Sequence, residues 1–368
     1  MCKVIGLMLA MMLLLGWGAP VQAAEHPQLG RALAWLLTNQ QQDGGFTSGF
    51  SAGSDLGATT EVVLAFAAAG ERFEDPSPLA YLEAQVQAGA VTDAASLSRA
   101  VMLARALGAD PRAIGGKDLV KALLATQDKT TGRFGESLYA HAYALLALHN
   151  AGEPLPETAV TLLLEEQQDD GSWAMLGGEE AADTNTTSLA AQALVAAGET
   201  AAAQKALGYF EVAQNDDGGF PWQKPSPYGT DTDANSTALV LQALVALGED
   251  PVAWAPQGAS PVDALLALWD AESGGYNWQL AMPGANVLAT AQAVQALSGM
   301  TLVDITAPGT VLISGAALPV ESAPEAASAP LLPTSGGSVM GVGHLLALAG
   351  VALLGSGLLL RRGSARKL

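Results

Sequence analysis

Cysteine is all but missing. The one present, Cys2, stands at the second position, so the body of the chain has no disulfide and no thiolate to ligate a metal or attack a substrate. Basic residues are scarce, 16 Lys and Arg against 36 Asp and Glu, for a formal net charge of −20. Lys3, Arg361, Arg362, Arg366 and Lys367 lie at the ends, so the stretch between them is more acidic still. Such a surface repels nucleic acid and anionic lipid headgroups, and neither is an expected partner. Histidine is limited to His26, His141, His149 and His344, with no pair at i, i+4 and none beside a carboxylate cluster, which argues against zinc. Phosphate loop, nucleophile elbow and dinucleotide fingerprint are all absent, and Asp169-Asp170 and Asp216-Asp217 lack the alternating oxygen ligands of a calcium loop. No metal or other cofactor is expected.

Long apolar runs occur only at the two ends. Residues 1–23 read as a signal peptide: Lys3, an apolar run over 4–17, and small residues at Val21 and Ala23 before the expected cleavage. Residues 339–360 carry no Asp, Glu, Lys or Arg and are long enough for a transmembrane helix. The basic tail over 361–368 places the C-terminus in the cytoplasm, and everything before the helix on the extracellular side of the plasma membrane or in the cell wall. Within 331–338, Leu332-Pro333-Thr334-Ser335-Gly336 resembles the sorting signal of Gram-positive surface proteins, with Ser335 where that signal has Thr. The resemblance implies a sortase-like enzyme as a partner; a plain membrane anchor is the alternative. Residues 301–330, with Pro319, Pro324 and Pro330, read as a stalk, and 301–313 as one or two short strands against the body.

Between these ends, over 24–300, one phrase recurs: Gln, acidic residues, Gly, then an aromatic. It occupies 40–46, 127–134, 167–173 and 214–220, with a looser copy at 269–276 and a degenerate one at 85–89. Each copy is followed by an apolar stretch of helical period ending in Gly, at 59–70, 94–108, 137–152, 186–198, 236–248 and 287–299. One helix of each pair is amphipathic, and the other is apolar nearly all round and must be buried on every side. The pattern predicts an all-α (α/α)6 toroid of six helical hairpins, the apolar helices inside, with an open solenoid as the rival arrangement. Phe46, Trp173, Phe220 and Tyr276 are expected to wedge between hairpins.

These phrases are similar to the repeats of squalene and hopene cyclases and, more loosely, to those of prenyltransferase and cobalamin-carrier toroids. The resemblance covers about 28–299 and implies the toroid. Hopene-type cyclases carry their proton donor within Asp-x-Asp-Asp-Thr-Ala, which this chain matches in register as Asp233-Ala234-Asn235-Ser236-Thr237-Ala238. Asn235 stands at the donor's place, and an amide cannot act as that acid. Asn185 repeats the departure one hairpin earlier. The zinc ligands of protein prenyltransferases have no counterpart.

Asp55, Asp93, Asp183, Asp233 and Asn286 recur at the starts of the apolar helices, where capping alone accounts for them. They also mark one rim of the expected cavity. Candidate ligand contacts are Asp55, Thr59, Asp183, Asn185, Asp233, Asn235 and Asn286 at that rim, Gln192, Gln242 and Gln295 deeper in, and Tyr139 and His141 on the third inner helix. Three functions fit. The first is a non-catalytic toroid binding a small apolar or amphipathic molecule, or a partner. The second is a cyclase-like or lyase enzyme using Asp231, Asp233 or His141 as acid. The third is a structural or adhesive surface module with a filled ring.

Overall fold

The computed structural model describes residues 27–49, 53–73, 77–306 and 312. The expected signal peptide, sorting motif, transmembrane helix and basic tail, and the stalk beyond 312, lie outside the described residues. Among the described residues no helix is long and apolar enough to cross a membrane.

The chain is mostly helical: α1 (Pro27–Leu37), α2 (Leu56–Ala68), α3 (Pro78–Gln87), α4 (Ala94–Ala106), α5 (Leu119–Ala125), α6 (Leu138–Asn150) and α7 (Glu157–Glu165) are followed by α8 (Thr184–Ala196), α9 (Thr200–Ala203), α10 (Ala206–Ala213), α11 (Ala234–Ala246), α12 (Pro261–Ala267) and α13 (Val287–Leu297). Between α12 and α13 a small antiparallel pair, β1 (Asn277–Gln279) and β2 (Met282–Ala285), fills the loop. Helices α2, α4, α6, α8, α11 and α13 each pack against the next, and α13 packs against α2. The inner set therefore closes on itself, and an open spiral is ruled out. The outer helices lie against the inner ones, α3 between α2 and α4, α7 between α6 and α8, α1 against α13 and α2.

Caps set where the inner helices begin. The side chains of Asp55, Asp93, Ser137, Asp183, Asp233 and Asn286 each accept a backbone N–H of the turn that follows. Each helix starts one residue after its cap, so α2, α8 and α11 begin two or three residues earlier than their apolar periodicity predicts.

Every part of the recurring phrase has a task in joining one hairpin to the next. Its glutamine donates to the glycine carbonyl: Gln40 to Gly44 at 3.1 Å, Gln127 to Gly132 at 3.0 Å, Gln167 to Gly171 at 3.1 Å and Gln214 to Gly218 at 2.9 Å. Its glycine presses on the start of the following outer helix. Gly171, at φ +87°, leaves no room for a methyl beside the Lys205 carbonyl, and Gly218 repeats this against Ser260. Its aromatic is fully buried in five copies, Phe46, Phe134, Trp173, Phe220 and Tyr276. The backbone N–H of that aromatic donates to the residue four places past the cap, Thr59 (2.9 Å), His141 (3.0 Å), Thr187 (3.0 Å), Thr237 (3.0 Å) or Thr290 (2.8 Å). The seam between last and first hairpins has its own ties, since Arg31 donates to the Ala271 carbonyl at 2.6 Å and lies over the Trp269 ring.

Past α13, residues 301–306 form bends and a turn, not strand; 307–311 of the expected strands lie outside the described residues. It crosses to the far side of the ring, where the Leu302 N–H donates to Gln192 Oε1 (2.8 Å) and Asn150 Nδ2 donates to the Leu302 carbonyl (2.8 Å). Met300, Leu302 and Ile305 are buried there, and Leu312 N–H returns to the Leu297 carbonyl. Asn150 and Leu297 end their helices, so this strap lies across the ring at the C-terminal ends of the inner helices.

Thr187→Val keeps the volume at a buried site but leaves the Trp173 N–H without its acceptor. Urea unfolding should show a loss of about 1–3 kcal/mol, and a change within error would refute the role given to these threonines.

Candidate functional site

With the strap across one end, the opposite end, where the inner helices start, is the candidate mouth. Counting from the caps sorts the axis-facing residues into levels, since positions two, six and nine along a helix share one face. The first level holds Gly57, Ala95, Tyr139, Asn185, Asn235 and Leu288; the second Glu61, Arg99, Tyr143, Leu189, Leu239 and Gln292; the third Leu64, Met102, Leu146, Gln192, Gln242 and Gln295.

Contacts between neighbouring helices bear this out. Asn235 on α11 donates to Gln292 Oε1 on α13 at 2.7 Å. Gln242 donates to Gln295 Oε1 at 3.3 Å, and Gln295 Nε2 donates to Glu61 of α2, to its Oε2 at 2.9 Å and its backbone carbonyl at 2.8 Å. The Arg99 guanidinium of α4 lies over the Tyr143 ring of α6, 5.9 Å from its centroid. Gln192, expected to face a ligand, is instead committed to the strap. The three glutamines close the third level, and Leu64, Met102 and Leu146 are fully buried beside them.

Glu61 and Arg99 were not among the candidates drawn from the sequence, yet they sit at the centre of the second level. Their signal was legible: each is a charge in the middle of a helix that must be buried all round. Both keep partial contact with solvent through the mouth. Burial nevertheless pushes the Glu61 carboxyl above the usual carboxylate range, against the opposing pull of Gln295, Arg99 and Gln292. Surface exposure and desolvation differ here because a group deep in a narrow opening touches water on one side only. Burial likewise pushes Tyr139 up to about 12 and Tyr143 well above its ordinary value, so both phenols stay protonated as donors.

Several expected ligand contacts serve the fold. His141 was expected to face the cavity. Its Nδ1 accepts from the Phe134 N–H at 3.0 Å and its Nε2 lies 3.0 Å from the Ala159 carbonyl, and burial lowers its pKa to about 4. It is a neutral imidazole holding two hairpins together, the role Thr59 has in the first repeat. Asp55 accepts from the Ala58 and Ser48 N–H groups, and Asn286 from Ala289 N–H. Asp183 accepts from Thr186 N–H, and Asp233 from both the N–H and the hydroxyl of Ser236. Asp231 is exposed, outside the ring, and its carbonyl accepts from Gln279. Asn185, Asn235 and Tyr139 stand on the first level, where the inner helices begin. Among the described residues no group of His, Cys, Asp and Glu has the arrangement of a metal site.

One space adjoins these walls, and another lies apart from them. One, of about 10 Å³, lies between α4 and α6 and is lined by Ala95, Arg99, Tyr139, Ala140 and Tyr143. The other, of about 390 Å³, is a recess away from the axis, lined by Glu211, Glu249, Asp250 and Trp254 with neighbouring small residues.

No family model matches the sequence, and no curated protein matches it. Solved structures do. The type II terpene cyclase MstE from Scytonema is 15% identical, with a TM-score of 0.55 over 74% of this chain and 97% of its own. A variant of it in complex with the substrate geranylgeranyl dihydroxybenzoate scores 0.54 at 15% identity, covering 77% and 97%. A glycosidase in complex with glucose scores 0.50 at 14% identity, covering 75% and 96%, and a protein from Actinoplanes 0.52 at 17%, covering 74% and 98%. The likeness is one of fold alone. The cyclase and the glycosidase share with this chain an (α/α) toroid-like architecture.

Burial holds the Asp183 and Asp233 carboxyls at about 6, above the ordinary 3.8, despite the N–H groups they accept. Each binds its proton more tightly when folded, so its contribution to stability is complete below about pH 4 and lost as pH rises through about 6. His141 acts in the opposite direction, losing stability as pH falls from 6.5 toward 4. Comparison with Asp233→Asn isolates the carboxyl: the melting temperature of the variant minus that of the parent should rise between pH 4 and pH 7. A difference that stays flat or falls would mean that the cap donors outweigh burial.

Proposed function

We propose that this chain is a small-molecule-binding toroid whose ligand enters at the mouth where the inner helices begin, and that the ligand is amphipathic. One observation carries the reading. At a single level of the ring, the neighbouring helices α13, α2, α4 and α6 present Gln292, Glu61, Arg99 and Tyr143, while α8 and α11 present Leu189 and Leu239. A ring polar along one arc and apolar along the other matches a molecule with a polar head and an apolar body, such as an isoprenoid derivative. Proteins of similar fold take up small molecules, one of them, geranylgeranyl dihydroxybenzoate, with an apolar body and a polar head, and another, glucose, polar throughout. We further propose that the ring works on the extracellular face, tethered through 339–360, with the sorting-like motif over 331–338 read by a sortase-like enzyme.

A second reading, acid catalysis, is favoured by Glu61 alone. A carboxyl held toward its protonated form in a desolvated site is a general acid in waiting, at a place unrelated to the amide of Asn235.

Native mass spectrometry of the full-length chain from its own host should reveal a co-purifying small molecule that is lost in Glu61→Ala and in Leu239→Asp. Retention in both variants, or no bound mass in the parent, would remove the mouth as the binding site. Incubation with isoprenoid substrates separates the two readings. Product formed by the parent and abolished in Glu61→Gln would make the protein an enzyme, whereas unchanged substrate leaves it a binder.

A further inference from the structure

The space between α4 and α6 is too small for a ligand and the right size for part of one. Its volume of about 10 Å³ holds a single oxygen-sized atom. Two small side chains, Ala95 and Ala140, make the room where larger residues would close it. Tyr143 reaches into this region with 5% of its surface exposed, and its hydroxyl has no hydrogen-bond partner among the described residues. A buried hydroxyl left unsatisfied costs about 1–3 kcal/mol. Some atom beyond the described residues is therefore expected to meet it. Burial keeps the phenol protonated, so its O–H is there to be donated to an acceptor.

The sign of its charge follows from the neighbours. Arg99 lines the same space and lies over the Tyr143 ring, and it is the only basic side chain on the three axial levels of the inner helices. Glu61 is the only acidic one, and it lies on α2, outside the lining of this space. The charge at the space itself is the guanidinium's, and it favours an anion. Shape narrows the choice. A tetrahedral phosphate needs room for several oxygens at once, whereas a planar carboxylate can insert one oxygen and leave the other toward the guanidinium.

We propose that Arg99, Tyr139 and Tyr143 form a head-group subsite for a carboxylate, one oxygen of which fills the space between α4 and α6 and accepts from the Tyr143 hydroxyl. This deepens the reading of the mouth as an amphipathic-ligand site and rests on it. The ligand class becomes an apolar molecule with a terminal carboxylate, its body directed over Leu189 and Leu239.

Calorimetric titration of the full-length chain with octanoate, octan-1-ol and acetate at pH 7 tests the assignment. Octanoate should bind roughly tenfold more tightly than octanol, the difference expected of a charged hydrogen-bonded head. Arg99→Gln should erase that preference, and Tyr143→Phe should reduce it several-fold. Ala95→Val, which fills the space from the α4 wall, should act like Tyr143→Phe and serves if either other variant fails to fold. Equal binding of octanoate and octanol by the parent, or a preference that survives Arg99→Gln, overturns the subsite while the mouth remains a ligand site. Acetate binding as tightly as octanoate upholds the carboxylate subsite and overturns the amphipathic reading. Silence toward all three overturns both, leaving an ordered water as the occupant of the space.

Discussion

Six helices with no side fit for water dictate this structure. An inner helix such as α11 is buried from Ala234 to Leu244 without a break, so each of its flanks must be covered by another helix of the same kind. A row of such helices always ends in two uncovered flanks, and joining the ends removes both. The contact between α13 and α2 is that joint. Much of the remaining structure keeps the ring in register, notably the glutamine, glycine and aromatic phrase, whose bonds link each inner helix to the outer helix that follows. The strap meets the same demand at the ring's end, where Met300, Leu302 and Ile305 cover apolar surface that the helices leave bare.

Charge inside such a ring is costly, which gives weight to the few charges present. Desolvating an ion costs several kcal/mol unless partners compensate. Glu61 has Gln295 as a donor, and Arg99 has the face of Tyr143. The polar groups of the third level satisfy one another or the strap, and that part of the ring needs nothing from outside. The second level differs, since the Tyr143 hydroxyl lacks a partner among the described residues. The boundary between a finished interior and an unfinished one falls between these levels, six and nine residues along the helices.

The ring could be read in the sequence because its cause is periodic. Apolar helices, terminal glycines and capping Asp or Asn recur at a nearly constant spacing, and the caps stand where the spacing puts them. The site was harder to read because it depends on departures from the repeat. His141 drew notice as the lone titratable group among aromatics, but counting from Ser137 places it where the other repeats carry Thr59, Thr187, Thr237 and Thr290. The same count would have exposed Glu61 and Arg99, which match neither the cyclase motif nor the recurring glutamines. The strap was legible in part. Its packing against the ring was expected, but as strands; over 301–306 the chain is held instead by the hydrogen bonds that Leu302 makes with Asn150 and Gln192, more than a hundred residues away.

Repeats that share a scaffold need not share a surface, and the inner levels show where they parted. Positions four past the cap stay Thr or its substitute His in five of six repeats, because the backbone N–H they accept is present in each. Positions six past the cap have no such common partner and carry Glu, Arg, Tyr, Leu, Leu and Gln in turn. A ring that only had to be filled would be satisfied by leucine at all six, as α8 and α11 demonstrate, and would be spared the desolvation of two charges. The polar arc from α13 to α6 therefore works against stability, and what such an arc provides is a surface that tells one end of a molecule from the other.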